Sequence, residues 1–366
     1  MSRKLLVFLT DPLSAFFRKG EVRCRYYNPL NFFSEVHFVS PAAREIEAEK
    51  VQALVGDARL VIHSLGRFYY GTAWSSFGAV ASLLKCVGPD VLRAHDPSVR
   101  GSLAVYWGAR IGVPSLVSVH ADLDDQRRYE KRPIHSLRAI FERYALTRAD
   151  VVLCVSNHVA RYARRHGARD PTVIYNRVYA DEFGADTAPG CSEKRDVTIL
   201  CVGRLVAQKY QECLIRAMRG LDAKLVLIGD GVCRRPLECL VNELGLDHQV
   251  TFRRAVPHSE IPREYRDADI FAIATHYEGF CIPVLEAMAA RLPVVASRIE
   301  PIEEIVGDAG FLVENQPAAF AAVFNRLVND AALRQEMGTR AAERARTMDG
   351  HVMEERECAL YAKLSG

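Results

Sequence analysis

The run His276–Ala289 reads HYEGFCIPVLEAMA and joins a loop to a helix. Pro283 stands where the start of a helix tolerates the missing N–H and fixed φ of proline, so a helix is predicted over 284–290. Glu278 then falls in the loop, and Glu286 about one turn into the helix. The unpaired N–H groups at the helix N-terminus suit a phosphate group. Two hydroxyl-binding carboxylates that flank an anion site indicate a ligand in which a sugar is joined through a diphosphate to a nucleoside.

On both sides of this run, short apolar segments alternate with helical patterns. This alternation is typical of parallel sheets that are covered by helices. The first half predicts strands over 4–9, 35–39, 58–64, 91–94, 115–119 and 151–155. The second half restarts the pattern, with strands over 197–202, 224–228, 250–252, 270–274, 294–296 and 310–313. The predicted fold class is α/β, with two Rossmann-like, doubly wound parallel sheets whose ligands lie at the carboxyl ends of the strands, in a cleft between the sheets.

A change of composition separates the two halves. Residues 181–196 contain Gly184, Pro189, Gly190 and several charged residues, which is typical of a linker. A chain of 366 residues also suggests two domains by its length. We therefore predict domains over 1–185 and 190–349, with a last helix beyond the second domain.

The run at 276–289 resembles the E-x7-E motif of retaining GT-B glycosyltransferases of family 4, whose usual wording is E-G-F-G-x-P-x-x-E-A-M-A. Within the core of the motif only Cys281 departs, because it stands where that family usually has glycine. The resemblance implies a GT-B fold with a donor-binding second domain and an acceptor-binding first domain, to which the last helix, 350–366, crosses back.

The same resemblance implies an activity. A hexose-type sugar would pass, with retention, from a UDP- or GDP-sugar to a hydroxyl of a saccharide or lipid-linked saccharide in cell-surface glycan biosynthesis. The nucleotide sugar would be a co-substrate, with no separate cofactor. Two alternatives stay open, which are a GT-B-fold sugar-nucleotide epimerase and a non-catalytic nucleotide-sugar-binding subunit. The sequence fixes neither the sugar nor the base.

The predicted diphosphate site follows the first strand of the second half. Gly203 allows a tight turn there, and Arg204 and Lys209 precede a helix, so that two cations meet a helix N-terminus. In the resembled family, G-R-x-x-x-x-K at this place contacts the donor diphosphate, which assigns both cations to the leaving nucleoside diphosphate. Tyr210 stands where the family often has glycine.

The resemblance also assigns the remaining donor contacts. Glu286 would bind the ribose and Glu278 would face the transferred sugar. Main-chain groups of the other donor residues would contact the sugar, the phosphate and the base: Gly279, Phe280, Cys281, Arg254, Ala255 and Val256. A Gly-Asp-Gly run at 229–231 either touches the donor or only shapes a turn.

In the first domain, three residues are predicted to meet the acceptor or the reacting sugar. Gly20 lies in the loop region after the first strand, and His95 and His120 end two later strands. His120 resembles the family histidine beside the reacting sugar, so the predicted catalytic residues are His120, Glu278, Arg204 and Lys209. The resemblance implies a reaction on one face of the sugar, with the departing phosphate as base, and no catalytic metal is expected.

The charge of the chain is divided unevenly. Residues 1–179 hold 26 Lys and Arg against 16 Asp and Glu, whereas the remainder holds 22 against 29. A basic half indicates an anionic partner, and a basic amphipathic helix over 136–147 suggests an anionic membrane surface. The apolar residues of this region are predicted to share one face: Ile134, Leu137, Ile140, Phe141, Tyr144 and Ala145. The alternative is that this face simply packs on the sheet. No nucleic-acid partner is predicted.

The composition of the chain narrows its predicted location in the cell. The ten cysteines form no C-x-x-C pair, and they are interpreted as buried small hydrophobic residues in a reducing compartment. No apolar stretch reaches the roughly 18 residues that a membrane span needs. The sequence therefore predicts a cytoplasmic protein that is peripheral on the inner face of the membrane if its basic surface binds lipid.

Overall fold

The computed structural model describes residues 3–18, 20–66, 73–130, 135–184 and 196–366, without the side chains of 73–76, 130 and 135–137. The chain divides into two compact units, of which unit 1 comprises residues 1–175 with 352–366 and unit 2 comprises 176–351. The first boundary thus lies earlier than the predicted limit at 185. Most of the predicted linker lies outside the described residues.

Unit 1 is built on a parallel sheet of seven strands in the order β3-β2-β1-β4-β5-β6-β7. Its strands are β1 (Lys4–Phe8), β2 (Glu35–Ser40), β3 (Arg59–Ser64), β4 (Val91–Ala94), β5 (Ser115–Val119), β6 (Val151–Cys154) and β7 (Thr172–Val173). Its helices are α1 (Leu13–Arg18), α2 (Ala73–Val87), α3 (Val99–Ile111), α4 (Leu123–Glu130), α5 (His135–Arg148) and α6 (Asn157–Arg165), with 3-10 turns at Pro29–Asn31 and Ala48–Val55.

Unit 2 has a parallel sheet of six strands in the order β10-β9-β8-β11-β12-β13. Its strands are β8 (Thr198–Val202), β9 (Lys224–Ile228), β10 (Val250–Arg253), β11 (Ile270–Ile273), β12 (Val294–Ser297) and β13 (Phe311–Val313). Its helices are α7 (Gln211–Ala217), α8 (Arg234–Leu244), α9 (Ile261–Arg266), α10 (Ile282–Ala289), α11 (Glu300–Val306), α12 (Pro317–Asn329) and α13 (Ala331–Arg346), and 3-10 turns lie at Ala180–Phe183 and Ala207–Lys209.

The α/β prediction is confirmed, because both sheets are parallel and doubly wound. Central strands such as β4, β5, β11 and β12 are buried along their whole length, as continuous apolar runs with helices on both faces require. In each sheet the strand order reverses once, between β1 and β4 in unit 1 and between β8 and β11 in unit 2. Such a reversal opens a crevice beyond the carboxyl ends of the strands, where ligands bind in this class of fold.

The last helix, α14 (Gly350–Leu364), joins unit 1 through the ion pairs of two buried glutamates. Glu357 accepts a hydrogen bond of 2.6 Å from Arg93 on β4, and both side chains are almost fully buried. Glu354, also buried, pairs with Arg25 at 3.0 Å. Because an unpaired buried charge is costly, these contacts fix α14 to the sheet of unit 1.

The apolar face predicted on the helix at 136–147 is buried along only one edge. On α5, Ala145 is buried and Phe141 is half-buried against the core, but Ile140 is 66% exposed and Tyr144 38% exposed. Because positions three and four apart share a face, these residues form one apolar stripe, of which one edge is covered by the core and the other is exposed. Ile134 lies outside the described residues, as does the side chain of Leu137.

No helix within the described residues is long and apolar enough to cross a bilayer. The nine cysteines of these residues are all free. Only four of them are buried, and Cys24, Cys86 and Cys239 are exposed. The interpretation of the cysteines as buried core residues thus holds for only part of the set.

Candidate functional site

In unit 2, the loops that follow β8 and β9 approach each other closely. The N–H of Gly203 donates to the carbonyl of Ile228 at 2.9 Å, and a Cβ on Gly229 would lie 2.0 Å from the carbonyl oxygen of Gly203. Gly229 also has φ +145°, which favours glycine. The Gly-Asp-Gly run therefore shapes the turn that holds the loop at 203–205 in place.

Tyr210 is the single residue between the 3-10 turn Ala207–Lys209 and α7. Its φ of +35° lies in the left-handed region, where glycine is the easiest residue to accommodate. The tyrosine ring stacks on His276 with ring centroids 4.6 Å apart. A strained backbone at this position is thus compensated by an aromatic contact between the loops after β8 and β11.

Lys209 and Glu278 form a buried ion pair at the carboxyl ends of β8 and β11. Nζ of Lys209 lies 2.5 Å from Oε1 of Glu278, and the hydroxyl of Thr275 donates to the same oxygen at 2.9 Å. Burial disfavours the charged form of Lys209, but the Glu278 carboxylate more than offsets it, and the pKa of Lys209 lies above its ordinary value. The site therefore keeps a lysine ammonium paired with Glu278 at the crevice of the sheet.

Glu286 is held from another direction. Its side chain is buried in α10, Oε2 accepts a hydrogen bond of 2.9 Å from the hydroxyl of Tyr265 on α9, and Oε1 lies 3.3 Å from Nε2 of His258. Burial and the nearby carboxylate raise the pKa of Tyr265 well above its ordinary range, so the phenol stays protonated and remains a donor. The carboxylate of Glu286 is thereby oriented toward the loop after β10, which carries His258.

The remaining predicted donor residues differ in exposure. Gly279, Phe280 and Cys281 are buried and lead directly into α10, which begins at Ile282, so the predicted helix start is displaced by two residues. The exposed residues are Arg204, Arg254 and Ala255, and Val256 is half-buried. Burial raises the pKa of the Cys281 thiol to about 12, so this cysteine stays neutral.

In unit 1, the structure brings His95 and His120 together at the ends of β4 and β5. Their ring centroids are 4.1 Å apart, and the hydroxyl of Tyr27 lies 3.4 Å from Nδ1 of His95. Burial, with the nearby Arg93 guanidinium, lowers the pKa of His120 to about 4, and burial lowers that of His95 well below its usual value. Nε2 of His120 has no hydrogen-bond partner among the described residues. A neutral imidazole with a free ring nitrogen can bind a hydroxyl group.

The third predicted residue of unit 1 is not part of this pair. Gly20 follows α1 with φ +67°, and its N–H donates to the carbonyl of Phe17. No hydrogen bond among the described residues joins Gly20 to either histidine. The N-terminus of α1 is occupied by Glu45, which accepts the N–H groups of Leu13 and Ser14 at 2.8 and 3.1 Å.

One group of side chains in the described part of the chain has the spacing of metal ligands. Ligand atoms of Asp122, Asp125 and His158 lie within 4.8 Å of one another. However, Oδ2 of Asp122 already accepts a bond of 2.7 Å from Arg165, and its Oδ1 accepts the N–H of Asp124 at 2.8 Å. The arrangement is that of a helix cap and an ion-pair cluster that join α4 to α6.

Four residues of unit 2 that contact the predicted donor site were not predicted from the sequence. Thr275, Tyr265 and His258 contact the two motif glutamates directly, and Gln208 donates to the carbonyl of Tyr277 at 2.7 Å. Thr275 follows β11 by two residues and precedes Glu278 by three, so its place at the end of a strand was a usable signal. Nothing in the sequence around Tyr265 and His258 indicates that they reach α10.

Two family models match the chain, one in each half. The model for glycosyl transferases group 1 matches residues 188–344, and the model for glycosyltransferase family 4 matches residues 34–182. Together the matches contain the predicted site residues of both units except Gly20.

Proteins similar to this chain are found by sequence and by structure. The alpha-D-kanosaminyltransferase of Streptomyces kanamyceticus is 28% identical over 282 residues, covering 70% of this chain and 72% of that protein. The GDP-mannose-dependent alpha-(1-6)-phosphatidylinositol dimannoside mannosyltransferase of Mycobacterium tuberculosis is 25% identical over 311 residues, covering 81% and 79%. The crystal structure of Anabaena HepE in complex with UDP has a TM-score of 0.80 at 16% identity, covering 99% of this chain and 100% of that one.

Proposed function

We propose a specific reaction for this chain, which belongs to the group 1 glycosyltransferases and has the GT-B fold. The protein transfers a hexose-type sugar, with retention and without a metal ion, from a nucleoside diphosphate sugar to an acceptor hydroxyl. The donor carries UDP or GDP, and the acceptor is a saccharide or a lipid-linked saccharide of a cell-surface glycan. The relatives' names support this range, since one uses GDP-mannose and a similar structure binds UDP.

The observation that carries the proposal is the pair of fixed carboxylates at the crevice of the unit 2 sheet. Glu286, oriented by Tyr265, binds the ribose diol, and Glu278, paired with Lys209, faces the sugar. The main chain at 279–281 and the N-terminus of α10 lie between them in sequence and receive the phosphate and the sugar. The exposed loop at 254–256 contacts the base.

Charge stabilisation of the leaving group comes from side chains in this proposal. Arg204 and Lys209 neutralise the departing nucleoside diphosphate, as a metal ion does in other transferases. The departing phosphate takes the proton of the acceptor hydroxyl on the same face of the sugar, which retains the configuration at the anomeric carbon. The protein then contributes positioning and a preorganised positive potential.

In unit 1 the neutral imidazole of His120 binds a hydroxyl of the reacting sugar through Nε2, and His120 is the catalytic residue of this unit. His95 packs against it, and with the loop at Gly20 it contacts the acceptor. The low pKa of His120, about 4, supports this role, because a neutral ring can accept a hydrogen bond at physiological pH.

We also propose that unit 1 meets an anionic membrane surface where lipid-linked acceptors are presented. Support comes from the exposed side of α5, where Ile140 and Tyr144 lie beside the exposed Arg143 and Arg148. An apolar pair flanked by cations suits the interface of an anionic leaflet.

The experiment is a panel of nucleotide sugars, each incubated with and without lipid extract or oligosaccharide acceptors. Release of nucleoside diphosphate that requires an acceptor supports the transferase, and the anomeric configuration of the product, read by NMR, tests retention. Activity that survives excess chelator supports the metal-free reaction. Sugar inversion on intact donor would indicate the epimerase, and binding without turnover would indicate the subunit. Neither alternative is favoured, since the relatives named above are transferases.

A further inference from the structure

A closed ring of hydrogen bonds joins the main chain of Thr275 to two polar side chains at the carboxyl edge of the unit 2 sheet. The N–H of Thr275 donates to Oγ of Ser297 at 2.8 Å, and the hydroxyl of Ser297 donates to Oδ1 of Asn315 at 2.5 Å. Nδ2 of Asn315 then donates to the carbonyl of Thr275 at 2.8 Å. Both main-chain groups of Thr275 are thus satisfied beyond the end of β11, and its backbone is fixed relative to β12 and to the residues after β13.

From this fixed backbone, the hydroxyl of Thr275 reaches the first motif glutamate. Oε1 of Glu278 is its nearest acceptor, at 2.9 Å, with the carbonyls of Gln208 and Tyr277 farther away at 3.1 and 3.3 Å. A charged acceptor also forms the stronger hydrogen bond, so the hydroxyl of Thr275 donates to the carboxylate. Thr275 and Glu278 are both buried, which further strengthens the contact.

The two oxygens of Glu278 therefore have different surroundings. Oε1 accepts from Lys209 and Thr275, whereas Oε2 accepts no hydrogen bond from the described residues. A lysine ammonium on its flexible stem does not by itself fix the plane of a carboxylate. A second donor in a direction set by the sheet does fix it, and it leaves Oε2 for a hydroxyl of the ligand.

We propose that Thr275 is a positioning residue of the transfer reaction, which orients the carboxylate of Glu278 toward the transferred sugar. This inference rests on the proposed function of the same site. The orientation matters for turnover and not for the nucleotide, because Glu286 and not Glu278 is the residue assigned to the ribose.

The kinetic test compares Thr275→Val, which keeps the shape and removes the hydroxyl, with Thr275→Ser, which keeps the hydroxyl. Thr275→Val should lower kcat about 10- to 100-fold, as expected for losing a hydrogen bond to a charged group. Its affinity for UDP or GDP, measured by calorimetry, should stay within about twofold. Thr275→Ser should keep kcat within about threefold, and Thr251→Val at the exposed Thr251 on β10 is the matched control. A kcat of Thr275→Val near that of the wild type, or an equal loss in Thr275→Ser, would overturn the role.

A second measurement is independent of turnover. In a double-mutant cycle of urea unfolding, Thr275→Val is combined with Glu278→Met, which removes the carboxylate. Coupling of about fivefold or more in the unfolding constant shows that the hydroxyl holds the carboxylate, whereas additive effects overturn the inference. If the wild-type protein used no nucleotide sugar, the proposed function would fail, and the cycle would still decide whether Thr275 fixes Glu278.

Discussion

Nζ of Lys209 lies 2.5 Å from Oε1 of Glu278, so a residue predicted to bind the diphosphate is paired with one predicted to face the sugar. Both side chains are nearly buried, and they follow two strands that are neighbours in the sheet, β8 and β11. The pair therefore has a structural role before any ligand arrives. Arg204, the second predicted cation of the diphosphate site, is exposed.

Because Lys209 is buried in an ion pair and Arg204 is exposed, alanine substitutions at the two positions should affect stability differently. Lys209→Ala leaves the Glu278 carboxylate buried without its cation, so it should lower the free energy of unfolding by about 3 kcal/mol. Arg204→Ala should leave it within about 0.5 kcal/mol of the wild type. Both should lower kcat/KM by about 100- to 1000-fold, as removal of one charge-stabilising donor does. Urea unfolding and steady-state kinetics test the two effects separately.

The control is the double variant Lys209→Met with Glu278→Gln, which removes both charges and should recover part of the lost stability. Near wild-type turnover of Arg204→Ala at low donor concentration would contradict its assignment to the diphosphate.

The two glutamates should differ in what they bind. Glu286→Gln should weaken the nucleotide sugar and the free nucleoside diphosphate alike, because both contain the ribose. Glu278→Gln should mainly lower kcat, because its partner is the transferred sugar. Calorimetry with UDP and GDP measures the first effect, with Tyr265→Phe as a milder variant that removes the tyrosine hydroxyl that donates to Glu286. Equal losses of nucleotide affinity in both glutamate variants would refute this division of roles.

Tyr210 offers a test of backbone strain. A left-handed non-glycine residue costs about 1–2 kcal/mol, and the contact with His276 returns about 0.5–1.5 kcal/mol. Tyr210→Gly loses the contact but relieves the strain, so its stability should lie within about 0.5 kcal/mol of the wild type. Tyr210→Ala loses the contact and keeps the strain, and it should be about 1 kcal/mol less stable than Tyr210→Gly. Urea midpoints compare them, and a more stable alanine variant would show that φ is not positive in solution.

The sequence predicted the sheets well because buried parallel strands are continuous apolar runs, and this signal is local. Strand β7 was missed because two residues are too short for any periodicity. The contacts of Tyr265 with Glu286 and of Asn315 with Thr275 join segments that are distant along the chain, and no local pattern encodes such pairs. On α5 the spacing of apolar residues was visible, but which of them the sheet and α3 would cover depends on packing.

The histidine pair of unit 1 predicts a dependence of stability on pH. The unfolded chain protonates His120 near pH 6.5, whereas the folded protein does so only near pH 4. Between these values the unfolded state binds more protons, so stability falls as pH falls, and His120 should account for about 2 kcal/mol between pH 7 and pH 5. Between pH 7 and pH 5, the free energy of unfolding of His120→Gln should therefore fall by about 2 kcal/mol less than that of the wild type. Urea unfolding at the two pH values measures this difference. His248→Gln, at an exposed histidine, is the control, and an unchanged slope in His120→Gln would contradict the low pKa.

The exposed side of α5 predicts salt-sensitive binding to anionic lipid. Arg143 and Arg148 flank Ile140 and Tyr144 there, and each basic residue near an anionic leaflet contributes about 1 kcal/mol. The protein should therefore sediment with anionic liposomes at low salt and be released at high salt, while neutral liposomes bind it weakly.

Reversing both charges, in Arg143→Glu with Arg148→Glu, should weaken lipid binding by at least about 30-fold, because two attractions are lost and two repulsions are added. The same reversal at two exposed arginines of unit 2, Arg263 and Arg340, is the matched control, since it changes the net charge equally but leaves α5 intact. If the control variant lost binding to the same extent, the attraction would belong to the overall charge and not to α5. Binding that ignores lipid charge, or no binding at low salt, would favour a soluble acceptor, because a lipid-linked one requires the protein at the membrane surface.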